Sequence, residues 1–258
     1  MGKIYHVNLE KPQLEGATLA LLPGDPFRVG KIAEAVREMH GGEIEELAWK
    51  REYRTFLCRL PGKAVLVTST GIGGPSTSIA VEELAMLGIT TFLRVGTTGA
   101  IQENIRVGDV ICTTGSVRLD GASTHYAPLE YPAVANIDVV NAVRKAAAAN
   151  GIPCHCGITA SSDTFYPGQE RYDSFTGYVP RRFQGTLEEW KRLHVLNYEM
   201  ESATLLTLTS AFGLRGGCVA GIIVNRALSE NITAEDLRVG EEHTVTTASA
   251  AIVDLLEG

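Results

Sequence analysis

The sequence predicts an α/β fold, on three observations. Short runs of bulky apolar residues alternate with stretches of helical periodicity from one end of the chain to the other. Several of these runs break into glycine-containing turns that lead into a helix, the kind of connection that joins parallel strands. The 258 residues, 45% of them hydrophobic, suffice to bury a sizeable core. No internal repeat, low-complexity segment or linker divides the sequence, so residues 1–258 read as one domain. A net charge of −7 and the lack of a basic run argue against nucleic acid and anionic membrane as partners. The start of the chain is polar where a signal core would be apolar, and no run is long enough to cross a bilayer. Five scattered cysteines without a signal peptide read as reduced thiols of a cytoplasmic protein. Cys154-His155-Cys156 lacks the second ligand pair of a zinc site and lies in strand-like sequence, so no metal is expected there.

Taken in order, residues 18–22 form an apolar strand that runs into Pro23-Gly24-Asp25-Pro26. Asp25 suits a helix N-cap and Pro26 the first helical position, and Val29, Ile32, Ala33 and Val36 then make an apolar helical face. Residues 43–49 are acidic and mixed, a loop or the beginning of a strand; residues 50–56 alternate charged and bulky side chains, as an edge strand or a strand facing a partner chain would. Residues 64–70 are a strand, Gly71-Ile72-Gly73-Gly74-Pro75 a turn, and residues 76–87 a helix. Residues 91–95 form the next strand, and Gly96-Thr97-Thr98-Gly99 is expected to end it in a turn where backbone N–H groups approach a ligand. Further strands begin at Val107, Cys154, Val195 and Gly217, with helices over 137–149, through 203–208, and from Thr233 or Ala234 onward. The loop 162–172 mixes aromatic and polar side chains, the composition of a site that stacks a flat ring and reads its edge.

The chemistry-bearing residues fall at strand ends, where open α/β sheets bind ligands. Arg94 lies inside an apolar strand, and a buried guanidinium needs either a core carboxylate or a bound anion such as phosphate. Arg28 sits in the first turn of a helix, against the local dipole; a bound anion or solvation would resolve that conflict. Glu199 and Glu201 flank Met200 at a strand-to-helix junction, suited to sugar hydroxyls, to acid/base work or simply to the helix N-terminus.

With these stretches in hand, the chain resembles the bacterial-type uridine phosphorylases of nucleoside phosphorylase family I. The resemblance rests on Leu22-Pro-Gly-Asp-Pro26 with Arg28, on the stretches 69–76, 92–101 and 161–172, and on Asn197-Tyr-Glu-Met-Glu-Ser-Ala203 and Val224-Asn-Arg226. It implies a three-layer αβα fold with a twisted mixed sheet, and a homohexamer built as a trimer of dimers with shared active sites. It implies phosphorolysis of uridine by inorganic phosphate to uracil and α-ribose 1-phosphate, with direct attack on C1′ and no covalent enzyme intermediate. Gly24, Arg28, Arg94 and Thr97 would hold phosphate, with Arg51 from a neighbouring subunit; Thr97, Met200 and Glu201 would hold the ribose, with His6 from the neighbour. Phe165, Gln169, Arg171, Ile223, Val224 and Arg226 would form the uracil pocket, and Arg94, Arg171, Glu201 and Gln169 would carry catalysis. No cofactor is required beyond phosphate as co-substrate; a monovalent-cation site for K+ at the dimer interface would map to Glu52, Ile72 and Ser76. Lys50, Tyr53 and Phe27 depart from the common pattern, as does a slightly longer segment at 43–47. Purine-cleaving relatives place an Asp where this chain has Arg226, which favours a pyrimidine.

Overall fold

The computed structural model describes residues 2–257. At its centre runs strand β1 (Leu19–Leu22), buried along its whole length. A strand sends successive side chains to opposite faces, so Leu19 and Leu21 enter one apolar cluster while Ala20 and Leu22 enter another. β1 pairs in parallel with β4 (Lys63–Thr68) on one side and β5 (Thr91–Ala100) on the other. Beyond β4 lie β3 (Tyr53–Leu60) and β2 (Glu43–Lys50), both antiparallel. On the far side β5 pairs with both β9 (Asn197–Glu199) and β10 (Arg215–Asn225). From β10 the sheet continues through β6 (Val110–Leu119) and β8 (Cys154–Ser162) back to β9. One half of the mixed sheet therefore closes on itself, and the other half ends in the β3–β2 hairpin. A short β7 (Ala133–Val134) hangs on β6.

Helices cover both faces. α1 (Pro26–His40), α3 (Ile137–Ala149) and α6 (Ala234–Glu257) pack Val29, Ile32, Val143, Ala147, Ala248 and Ile252 into one cluster with Leu19, Leu21 and Val95. α2 (Gly74–Leu87) and α5 (Ser202–Ala211) pack Val81, Leu84, Leu205 and Leu208 against Ala20, Leu22 and Phe92 on the opposite face. The three-layer αβα arrangement expected from the resemblance is thus present. Each fully buried aliphatic side chain contributes about 1.5–3 kcal/mol, so the two faces of β1 and β5 anchor both helix layers. Asp25 caps α1 as its sequence suggests, accepting from the Phe27 amide at 2.8 Å, with Pro26 at the first helical position.

Two local expectations change. Of the loop or strand start read at 43–49 the strand is present, because Glu43 to Lys50 pair in register with β3; the chain then turns at Arg51 and Glu52, and β3 lies between β2 and β4 where an edge strand is expected. Gly96 to Gly99 do not turn; they continue β5, held by β10 on one edge and by Tyr198 of β9 on the other. The last glycine has a packing reason: a Cβ on Gly99 would lie 3.0 Å from Val224 Cγ1 and 3.2 Å from Arg226 Cδ. The stretch at 175–188 contains a 3₁₀ turn at Arg181–Phe183 and the start of helix α4 (Thr186–Arg192).

Candidate active site

The C-terminal ends of β1, β4 and β5, the β9–α5 junction and the last turn of β10 open into two joined hollows. The first, of about 530 Å³, is lined by Gly24, Asp25, Pro26, Arg28, Glu52, Gly71, Ile72, Arg94, Thr97 and Glu201. The second, of about 230 Å³, continues from Ile72, Arg94, Thr97 and Glu201 to Phe165, Gln169, Arg171, Tyr198, Met200, Ile223 and Val224. Arg94, Thr97 and Glu201 face both.

Arg94 is the hinge of the arrangement. It is buried, its Nη2 pairs with Glu201 Oε2, and its Nε lies 3.4 Å from Glu199 Oε2. Its Nη1 is buried without a hydrogen-bond partner among the described residues. Of the two sequence alternatives for Arg94, the core carboxylates are present, and the side chain also lines the hollow with one buried donor left unpaired among the described residues. Glu199 has a second task. Its Oε2 accepts from the Glu201 and Ser202 amides at 2.8 Å each, capping α5, and Ser202 Oγ donates to its Oε1 at 2.6 Å. Glu201 Oε1 accepts from the Gly73 amide at 2.7 Å, tying the start of α2 to the start of α5.

One guanidinium thus serves two buried carboxylates. Burial lifts the Glu201 carboxyl above the usual carboxylate range; Arg94 pulls it down and Glu199 adds to the rise. Burial also disfavours the charge on Arg94, but Glu201 and Glu199 more than offset that, so the guanidinium stays charged. Removing one partner of such a group strands a buried charge, at about 3–5 kcal/mol.

Arg28 follows neither sequence alternative by itself. It is largely buried, and its Nη2 donates to Glu241 Oε1 of α6 at 2.7 Å, a contact that offsets the repulsion of the helix N-terminus. Its Nε is buried without a partner among the described residues. Gly71 sits at φ +70, and a Cβ there would lie 2.9 Å from Glu52 Cγ and 3.1 Å from Ser76 Oγ. The glycine lets the turn after β4 bring Glu52, the Ile72 carbonyl and Ser76 close together. Ser76 Oγ donates to the Ile72 carbonyl at 3.1 Å.

The far end is built differently. The loop after β8 carries Phe165 and Gln169, and the Arg171 guanidinium lies 4.3 Å from the Phe165 ring centroid. Arg226, just past β10, donates from Nη2 to the Gln169 carbonyl at 2.9 Å. Glu230 bridges both arginines, taking Arg171 Nη1 at 2.5 Å and Arg226 Nε at 2.6 Å. A β-bulge in β10 between Ile222 and Val224 makes Ile223 the extra residue, and a bulge re-aims side chains; Ile223 and Val224 both line the hollow.

Most of the residues expected from the sequence are therefore gathered: Gly24, Arg28, Arg94, Thr97, Met200, Glu201, Phe165, Gln169, Arg171, Ile223 and Val224 line the hollows, and Arg226 stands behind Arg171 and Gln169. His6 and Arg51 do not reach the hollow of their own chain. His6 Nδ1 lies 2.6 Å from Glu83 Oε1, and Arg51 is exposed in the β2–β3 turn at φ +55. Sequence reasoning missed Glu230 and Glu241; the helix N-terminal role it left open for Glu199 and Glu201 falls to Glu199. Arg28 and Glu241 are 213 residues apart, so no local pattern could link them.

The chain matches the phosphorylase superfamily over residues 18–257, and it belongs to that family. It is an enzyme of the pentosyltransferase class. A uridine phosphorylase of Escherichia coli is 57% identical over 253 residues, covering 98% of each chain. A uridine phosphorylase of Haemophilus influenzae is 54% identical over 256 residues, covering 99% of this chain and all of its own. At greater distance, a guanosine phosphorylase of Halorubrum lacusprofundi is 35% identical over 222 residues, covering 86% of this chain and 83% of its own. No helix among the described residues is long and apolar enough to cross a membrane.

Proposed function

We propose that the enzyme cleaves uridine with inorganic phosphate, giving uracil and α-ribose 1-phosphate. The observation that carries this reading is the shared wall of the two hollows: an anion at the arginine end and a flat base at the Phe165 end would meet across Arg94, Thr97 and Glu201. The names of the relatives at 57% and 54% identity support uridine as the nucleoside. Phosphate rests on Gly24, Arg28, Arg94 and Thr97, and Arg94 gives up Glu201 to receive it. The released Glu201 carboxylate then accepts from the 2′- and 3′-hydroxyls of the ribose, beside Met200. Both members of the buried pair are re-paired in the complex, so neither is left as a stranded charge.

Phe165 stacks on uracil, Gln169 and Arg171 bond its edge, Ile223 and Val224 form its wall, and Arg226 supports them. Phosphate attacks C1′ as the glycosidic bond opens through a cation-like transition state, without a covalent enzyme intermediate. Donors at the base edge stabilise the charge on departing uracil, each worth about 3–4 kcal/mol of barrier. Arg226 occupies the position where a proton donor for a purine would serve, and an arginine cannot deliver a proton near neutral pH.

A second copy of the chain completes the site in this reading, lending His6 and Arg51 within a cytoplasmic homohexamer of one-domain subunits. Their positions away from their own hollow, on exposed or half-exposed surface, support that role. Glu52, the Ile72 carbonyl and Ser76 offer hard oxygen donors around Gly71 and fit a monovalent cation; bound there, K+ would brace the turn between β4 and α2. Phosphorolysis of uridine, thymidine and inosine side by side, with phosphate varied, tests the substrate. Uridine turnover that rises with phosphate and far exceeds inosine turnover is expected; faster cleavage of inosine would overturn it.

A further inference from the structure

At the opposite end of β8 from the site, β6 and β8 bring three thiols together. Cys112 and Cys156 are direct register partners across the parallel β6–β8 pair. Cys154 lies two residues before Cys156 on the same strand, and so on the same face. Cys112 is fully buried beneath α3, its thiol 3.9 Å from the Val140 carbonyl, while Cys156 is exposed. The proposed phosphorolysis uses none of the three.

We propose that Cys156 is a thiol-modification site that reacts with low-molecular-weight disulfides, and that Cys112 resolves the adduct. Neighbouring strands stand about 4.7–4.9 Å apart, inside the roughly 4.4–6.8 Å that a disulfide requires between Cα atoms. Cys154 is about 6.6 Å along the strand from Cys156, at the edge of that range. Cys112 is therefore the better partner. The surroundings favour the Cys156 thiolate. The hydrogen bond from Cys112 is the largest influence pulling its pKa down to about 6; burial opposes it, and Cys154, Arg144 of α3 and His155 add to the fall. His155 is itself paired with Asp109 at 2.8 Å. Exposed thiolates beside a second cysteine are the ones that exchange readily.

The exchange balances in two steps. The Cys156 thiolate attacks one sulfur of the disulfide, forming a mixed disulfide and expelling one thiolate of the reagent. Cys112 then loses its proton to solvent, and its sulfur attacks Cys156 and expels the second thiolate. Two protein thiols are oxidised to the Cys112–Cys156 disulfide, and the reagent is reduced to two thiols, which take up the two protons. Before the first step Cys112 is held well above the usual thiol range, chiefly by its hydrogen bond to Cys156 and then by burial. Capping Cys156 removes the larger influence, so the first step prepares the second.

Oxidised glutathione added to the full-length protein at pH 7 tests this, read by intact mass, peptide mapping and alkylation rates. The expected course is a single adduct at Cys156, followed by a Cys112–Cys156 crosslink. Cys156 should alkylate at least about tenfold faster than Cys58, which is buried and pushed up to about 12 by that burial. Cys156→Ser should abolish both products, and Cys112→Ser should stop the reaction at the adduct. Equal labelling of Cys58 and Cys156, an adduct that never resolves in the unaltered chain, or a crosslink to Cys154 would each overturn the proposal.

Discussion

The two ends of the hollow solve the same electrostatic problem in different ways. At the phosphate end the arginines rise from regular elements, Arg94 from inside β5 and Arg28 from the first turn of α1, and the glutamates that hold Arg94 are buried with it. At the base end the cations sit on loops, and the one glutamate that holds Arg171 and Arg226 is 45% exposed, on the connection between β10 and α6. The rigid half places charge and must re-pair it when a ligand arrives. The looser half shapes a pocket around two buried guanidiniums whose shared glutamate is half open to solvent, so that glutamate can turn to water more readily than the two buried beside Arg94. Loops on a rigid scaffold are where selectivity is readily varied, so nucleoside choice is expected to reside at the base end and the phosphate requirement on the sheet.

Substitutions at the two ends should separate these roles. The largest effect is expected for Arg94→Ala: turnover falls by at least about a hundredfold, and thermal stability falls too, because Glu201 and Glu199 are left buried without their cation. Steady-state assay and a thermal melt on one preparation check both. Arg171→Ala should also cost at least about a hundredfold in turnover, yet leave the melt nearly unchanged, since Glu230 can turn to water. An equal loss of stability in both variants would erase the contrast. Glu201→Gln comes next. In the proposed reaction Glu201 accepts from the ribose as a carboxylate, and burial holds its carboxyl above the usual range, so the acid limb of the activity profile should lie above the ordinary glutamate range and disappear in the variant. The sign for stability is opposite. A raised folded value favours the folded state below the unfolded value, and that advantage is lost as pH rises through the folded one; Glu201→Gln should flatten this. The smallest effect on activity is expected for Glu230→Ala, which should raise the KM for uridine by about a few-fold, because Arg226 keeps its bond to the Gln169 carbonyl, and leave the KM for phosphate unchanged. A shift in the phosphate KM would contradict the division.

Much of this was legible in the sequence, for a physical reason. The residues at the ends of β1 and β5 announce themselves because Arg28 and Arg94 stand where charge is locally unfavourable, in a helix's first turn and in an apolar strand. The three layers follow from buried runs such as that of β1, which is apolar on both faces. What stayed hidden depends on distant partners. Gly96 to Gly99 have the composition of a turn, and only β9 and β10 hold them extended. Residues 43–49 could be a loop or the beginning of a strand until β3 pairs with them. Glu241 and Glu230 carry no local sign that they answer Arg28 and Arg171.

The central claim is that phosphate, not water, takes the ribose. The most direct measurement follows uracil and ribose 1-phosphate released from uridine by the full-length protein, with and without inorganic phosphate. Equimolar products that require phosphate are predicted. Uracil released at the same rate without phosphate, with free ribose in place of the phosphate ester, would contradict the account.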